Sequence, residues 1–174
     1  MAQAVFGQTV ALADALVTAL NAQSASLALP ILAVRTFARK LDLGDIPAIG
    51  EKVMLQIIPG EDLADRIAMN NLYDDTYGVH VLMLQRVSDA ALGGISEAQV
   101  GYLMQLRSEI IEFLCGAMIS CPAAVHPFAR ARVTGVRHGA EGAYDLSRLE
   151  SEAALFYSDT ILTYKAAGLC RRNP

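Results

Sequence analysis

The residues of this 174-residue chain that could do chemistry gather first in "FARKLDLGDIPAIGEKVMLQIIPG", residues 37–60, where Asp42, Asp45 and Glu51 fall close together. Three neighbouring carboxylates could grip a divalent cation or share acid–base work. The stretch lacks the glycine position and terminal glutamate of a calcium loop, and no phosphate-binding motif lies beside it. Asp and Gly between two apolar runs are ordinary turn chemistry, because Asp bonds its own backbone and Gly reaches positive φ. The three acids are therefore read as loop residues, and no metal is expected.

The histidines and cysteines point the same way. His80 stands between Val79 and Val81, on the opposite strand face from Tyr77 and Met83, which suits a surface or interface group. His126 precedes Pro127, and His138 adjoins Gly139. Cys121 lies close to His126 in sequence, but a nucleophile and its base are brought together in space rather than by sequence proximity. Cys115, Cys121 and Cys170 lack zinc-site spacing and read as free thiols in a reducing compartment. No glycine-rich turn follows a strand and opens a helix, which removes the dinucleotide and phosphate-loop readings. Glu61–Asp62 and Asp74–Asp75 read as a solvated face. No catalytic residue and no cofactor is expected from these residues. Arg130 and Arg132 share one face of a strand candidate, with Arg137 nearby. In a chain of net charge -4, they fit an ion-paired subunit interface better than a phosphate backbone.

The elements that must carry these residues follow from periodicity. Val10, Ala13, Val17 and Leu20 recur at helical steps, predicting a helix over 9–22. The polar run 21–26 reads as a break. Strands are expected over 31–41, 52–58, with Pro59-Gly60 as a stop, and 76–87. Ser96 with Gln99 three residues on forms a capping-box signature. It opens a helix whose stripe runs through Val100, Leu103, Leu106, Ile110 and Phe113 or Leu114. Two more strands are expected near 129–136 and 153–165, with "RHGAEGAYDLSRLES" as a loop between them. Residues 60–75, "GEDLADRIAMNNLYDD", read as a helical turn or a loop, with Leu63, Ile67 and Met69 able to bind a partner and Arg66 able to select one. Successive strands without intervening helices predict a single α+β domain over 1–174. Its sheet is mostly antiparallel, of four to five strands, with two helices packed on one face.

Composition adds a bound. Hydrophobic residues make up 53% of the chain and charged residues 18%, an apolar surplus for a soluble monomer. No uninterrupted apolar span of about 20 residues exists, and the N-terminus lacks the pattern of a signal peptide. The surplus therefore points to subunit interfaces.

The closing strand "FYSDTILTYK" resembles that of the tailed-phage tail terminator (head–tail joining, minor tail) proteins, with Phe156, Ser158, Leu162, Tyr164 and Lys165 matching an aromatic, a serine, alternating aliphatics, then tyrosine and a base. The helix containing "ALVTALNA", leading to a strand that holds Arg35, is similar to the family's opening. "KLDLGDIPAIGEKVMLQIIPG" resembles its Asp-Leu segment and apolar strand ending in Pro. "YGVHVLMLQRV" is similar to its I-x-V-x-V-x-R strand, with Arg86 at the basic position. The segments "RHGAEGAYDLSRLES" and "ISCPAA" depart from that shape. The resemblance implies a virion protein that is not an enzyme, assembled in the host cytoplasm. It would form a homo-oligomeric ring, typically a hexamer, that caps the tail tube, ends its growth and joins it to the neck. Its partners would be the tail tube protein and a neck or connector protein, with DNA passing through the lumen without specific binding and no membrane involved. Leu63, Arg66, Ile67, Met69, Arg130 and Arg132 are the expected partner-facing residues. Two alternatives are another neck component, such as a head–tail adaptor, and a small cytoplasmic α+β binding or enzyme domain.

Overall fold

Helix α1 spans Gln3–Leu27, and Leu12, Ala13, Leu16 and Leu20, spaced at three and four residues, are all buried. It runs past the polar stretch expected to break it, because that stretch has partners. The Asn21 side-chain amide donates to the Ala33 carbonyl at 3.0 Å, and its carbonyl accepts from the Ala33 N–H at 2.9 Å. Ser24 donates to the Ile31 carbonyl at 2.9 Å. Polar residues that would read as a stop are turned inward to satisfy a strand. The computed structural model describes residues 3–27, 30–39, 42–66, 73–89, 94–120, 130–140, 142–151 and 153–166.

The strands are β1 (Ile31–Arg35), β2 (Val53–Arg66), β3 (Tyr73–Arg86), β4 (Ser88–Asp89), β5 (Gly94–Ile95), β6 (Ile119–Ser120), β7 (Arg130–His138) and β8 (Leu155–Ala166). Two further helices are α2 (Glu97–Gly116) and α3 (Leu146–Leu149). The fold is α+β, built on a six-stranded sheet of order β1-β2-β3-β8-β7-β6, with β4 and β5 forming a separate ribbon.

Several expectations are corrected. The sheet has six strands rather than four or five, and it is mixed, since β1 and β2 pair in parallel. A parallel pair needs a crossover connection, and residues 36–52 supply it. This is the segment that carries Asp42, Asp45 and Glu51, and its Ile46 is buried with Ile58, Leu82, Leu84, Leu155 and Tyr157. The crossover is pinned by Gln85, which donates to the carbonyls of Ala48 and Glu51 at 3.1 Å each, and by Arg86, which donates to the Ile46 carbonyl at 3.0 Å. Its acids close turns: Asp42 accepts from the Gly44 N–H at 2.9 Å, and Glu51 from the Ala48 N–H at 2.6 Å. The first strand ends at Arg35, well short of residue 41.

The expected loop over 60–75 is largely strand. β2 continues to Arg66 and β3 begins at Tyr73, pairing from Asp62↔Tyr77 to Arg66↔Tyr73 after a register shift between Pro59 and Asp62. At that shift a Cβ on Gly60 would lie 2.8 Å from the Gly78 carbonyl oxygen, so the close approach of the two backbones requires glycine. Inside the expected 137–151 loop, Asp145 caps α3, accepting from the Arg148 N–H at 3.2 Å and the Ser147 hydroxyl at 2.6 Å.

One face of the sheet holds the larger core, where Leu103, Leu106, Ile110 and Leu114 of α2 meet the α1 stripe and Leu55, Val79, Val81, Phe156 and Tyr164. Each large side chain buried there contributes about 1.5–3 kcal/mol. Ser96 caps α2 by accepting from the Gln99 N–H at 3.3 Å, while the Gln99 side chain turns to Gln85 at 2.7 Å. Only half of the predicted capping box forms. Among the described residues, no helix is long and apolar enough to cross a membrane.

Candidate functional site

Strand alternation sends His80 of β3 and Asp159, Ile161 and Thr163 of β8 to the face opposite the large core. There Asp159 is almost fully buried, its side chain 3% exposed. One oxygen lies 3.1 Å from His80 Nδ1, and the other accepts from Arg39 Nη2 at 2.7 Å. Gly139 donates its N–H to the Asp159 carbonyl at 2.9 Å. A Cβ at Gly139 would meet the Asp159 Cβ at 2.9 Å, so the turn after β7 can close on the strand only through glycine. Above this cluster opens a cavity of about 500 Å³, lined by Phe37, Arg39, Gly60, His80, Arg137 and Thr163 among others.

Directly behind it, on the helix side, α2 delivers Arg107. Its guanidinium is buried; Nε donates to Ser158 at 2.7 Å, and Nη2 donates to Thr160 at 3.0 Å and approaches His138 Nδ1 at 2.6 Å. Because a guanidinium only donates, His138 Nδ1 is the acceptor and its ring proton sits on Nε2. Ser158 passes its own proton to the Ala143 carbonyl at 2.5 Å. Burial holds the Arg107 pKa below its usual value, and no carboxylate pairs with it among the described residues. The successive residues Ser158, Asp159 and Thr160 thus anchor one basic group from α2 and two from the opposite face.

Chemically, the His80–Asp159 pair could move a proton, since the carboxylate engages Nδ1 and leaves Nε2 as the second ring nitrogen. Among the described residues, the cavity lining holds hydroxyls of Thr76 and Thr163 but neither Ser nor Cys. Arg39 and Arg137 could hold an anion. Among the described residues, no group of three His, Cys, Asp or Glu side chains is placed to hold a metal ion.

The residues singled out from sequence are dispersed differently. Leu63 and Arg66 lie in the far part of β2, paired with Thr76 and Tyr73. Arg130 and Arg132 lie in β7, paired with Ser120 and Lys165. Thr76 also pairs with Lys165, so Leu63, Thr76, Lys165 and Arg132 form one backbone row across four strands. Ile67 and Met69 lie outside the described residues, as do Cys121, His126 and Cys170. The cluster of Arg39, His80 and Asp159 escaped the sequence reading. Its signal was the polar triplet Ser158-Asp159-Thr160 in the middle of an otherwise apolar strand, where an acid is costly unless paired.

Two other features could engage a partner. An apolar groove of about 590 Å³ runs between α1 and the end of α2, past Ala15, Ala19, Phe113 and Met118. Among the described residues, the outer edge of β7 is paired only at Arg130 and Ala131, by the two residues of β6. Compared with known proteins, the chain matches no family model and no curated protein.

Proposed function

We propose that this chain is a structural subunit of a tailed-phage virion, a tail terminator that assembles into a ring on the tail tube, ends its growth and joins it to the neck. The number of subunits, six, comes from the sequence resemblance. The observation that carries the reading is the ribbon formed by the far halves of β2 and β3. Pairing with β1 stops at Ile57 and pairing with β8 starts at Thr76, so residues 64–66 and 73–75 pair only with each other among the described residues. A two-stranded ribbon is marginal in water by itself, and a neighbouring subunit or the tube would cover it. The edge of β7 beyond Ala131, which has no strand partner among the described residues, is a second, different pairing surface, and two unlike surfaces are what a head-to-tail ring requires.

The test is sedimentation and electron microscopy of the chain alone and with tail tube protein. Closed rings and tubes of bounded length with capped ends are expected. A monodisperse monomer at high concentration that leaves tube growth unchanged would overturn the reading.

One observation favours a second reading, a small binding or catalytic domain: the His80–Asp159 pair opens on a cavity. His80→Gln separates the two. In the terminator reading the variant still caps tubes; an unaltered chain that caps no tube but binds a small anion in this cavity, with binding lost in the variant and the fold intact, would favour the second.

A further inference from the structure

We propose that the surface around Phe37, Arg39 and Arg137 receives the C-terminal half of α2 from another copy of this chain, seating Phe37 against Phe113 between Glu109 and Glu112. The inference rests on the ring reading and deepens it by naming which surfaces meet.

Phe37 is 70% exposed, more than any other large hydrophobic residue described. It is nonetheless held in place. The Arg35 guanidinium lies 4.7 Å from its ring centroid, and Arg35 is itself paired with Asp14. The preceding Thr36 donates its N–H to the Ile57 carbonyl at 3.0 Å and its hydroxyl to the Ala38 carbonyl at 2.8 Å. An exposed aromatic whose backbone is already fixed costs little entropy to bury, which is the character of an interface anchor. Beside it, Arg39 is half-exposed and spends one nitrogen on Asp159. Arg137 is exposed on the same cavity and has no acidic partner among the described residues.

The complement lies on the same chain. A shallow concavity of about 450 Å³ at the end of α2 is lined by Glu109, Glu112, Phe113, Gly116 and Ala117. A Cβ at Gly116 would meet nothing within 4 Å, so the dish is open there. No basic residue lines it among the described residues. Glu109 takes a hydrogen bond from Gln105 at 3.0 Å, and neither glutamate has an ion pair among the described residues. One surface is an apolar knob flanked by arginines, and the other is an apolar dish rimmed by glutamates. Such charge patterning sets register and orientation. Because α2 packs on one face of the sheet and Phe37 stands with the cavity on the other, the contact joins unlike surfaces. Each copy keeps one of each free, so the contact propagates head to tail.

The experiment uses two double variants of the full chain. Phe37→Ser with Arg137→Glu disables the knob surface while leaving the Arg39–Asp159 pair intact. Glu109→Arg with Glu112→Arg disables the dish. Sedimentation velocity is expected to show each variant as a monomer under conditions where the unaltered chain assembles. A 1:1 mixture should form salt-sensitive dimers that grow no further, because each partner retains one working surface. Phe37→Ser alone, a surface change that should leave the melting temperature within about 2 °C, is expected to weaken assembly about tenfold or more. Both variants assembling normally would overturn these surfaces and leave the ring reading standing. Monomeric variants whose mixture stays monomeric would overturn the pairing of knob with dish. Phe37→Ser that assembles normally yet no longer binds tubes would make the tube protein the occupant, and overturn the proposal. Assembly lost in both variants and recovered as dimers, with unaltered oligomers that never cap a tube, would uphold the contact and sink the terminator reading.

Discussion

Arg107 concentrates the energetics of single residues in this molecule. A buried guanidinium held by Ser158, Thr160 and His138, with no carboxylate among its described partners, keeps its charge by hydrogen bonds alone. Arg107→Ala removes all of them and opens a void, and we expect a loss of about 2–4 kcal/mol from denaturant midpoints at constant slope. Arg107→Met fills much of the void without a buried charge and should lose clearly less. Asp145 offers a pH-dependent counterpart. The Ser147 hydroxyl does most to hold its carboxyl below the usual range; burial opposes this, and the Arg148 N–H and guanidinium add to it. A depressed folded pKa contributes stability above the unfolded value, about 3.9, and that contribution is lost as pH falls through the folded one. Asp145→Ala should therefore cost about 0.5–2 kcal/mol at pH 7 through loss of the α3 cap. The gap to the unaltered protein should narrow as pH falls below about 4, in urea titrations at each pH. A gap constant down to pH 2 would remove the charge from the explanation.

At the scale of elements, the sheet manages its two edges in opposite ways. β1 ends the sheet on one side, and Asn21 of α1 stands where the next strand would be, bonding both backbone groups of Ala33. Asn21→Ala leaves an N–H and a carbonyl unpaired at a half-buried position. We expect a loss of about 1–3 kcal/mol and, since an uncovered edge templates further pairing, faster aggregation on warming by light scattering. Unchanged aggregation with lowered stability would mean that the helix itself covers the edge. On the other side, β7 is paired beyond β8 at two residues only among those described.

For the whole molecule the ribbon is the decisive feature. Removing residues 64–75 and joining Leu63 to Thr76 through Asn-Gly keeps a two-residue hairpin turn at a pair already in register. Every backbone pair between β3 and β8 survives. The variant is expected to melt within a few degrees of the unaltered protein but to dock to tubes or to neighbouring copies about tenfold more weakly, since the removed strands carry no pairing inside the sheet. Co-sedimentation with isolated tubes and a melting curve read the two effects separately. Unchanged docking would take the ribbon out of the mechanism, and an unfolded variant would show that it belongs to the core.

The sequence by itself determined what depends on near neighbours. The stripe through Leu103, Leu106 and Ile110 and the Ser96 cap define α2. The alternation of Tyr77, Val79, Val81 and Met83 defines the face of β3 that enters the larger core, and Asp–Gly chemistry defines the turns of 42–51. All of these follow from spacings of two to four residues, which local geometry reads directly. The charged far half of the β2–β3 hairpin carried no apolar alternation, so pairing rather than pattern identifies it as strand. The polar end of α1 reads as helix only once β1 lies beside it, and β1 runs parallel only because the 36–52 crossover folds over the second face. The cluster at Asp159 lies furthest from anything local. Arg39 reaches it across 120 positions and His80 across 79. Only the order in which β1, β2, β3 and β8 pair decides which charges can share one buried carboxylate, because that desolvated carboxylate selects its partners by distance in space, to which sequence separation sets no limit.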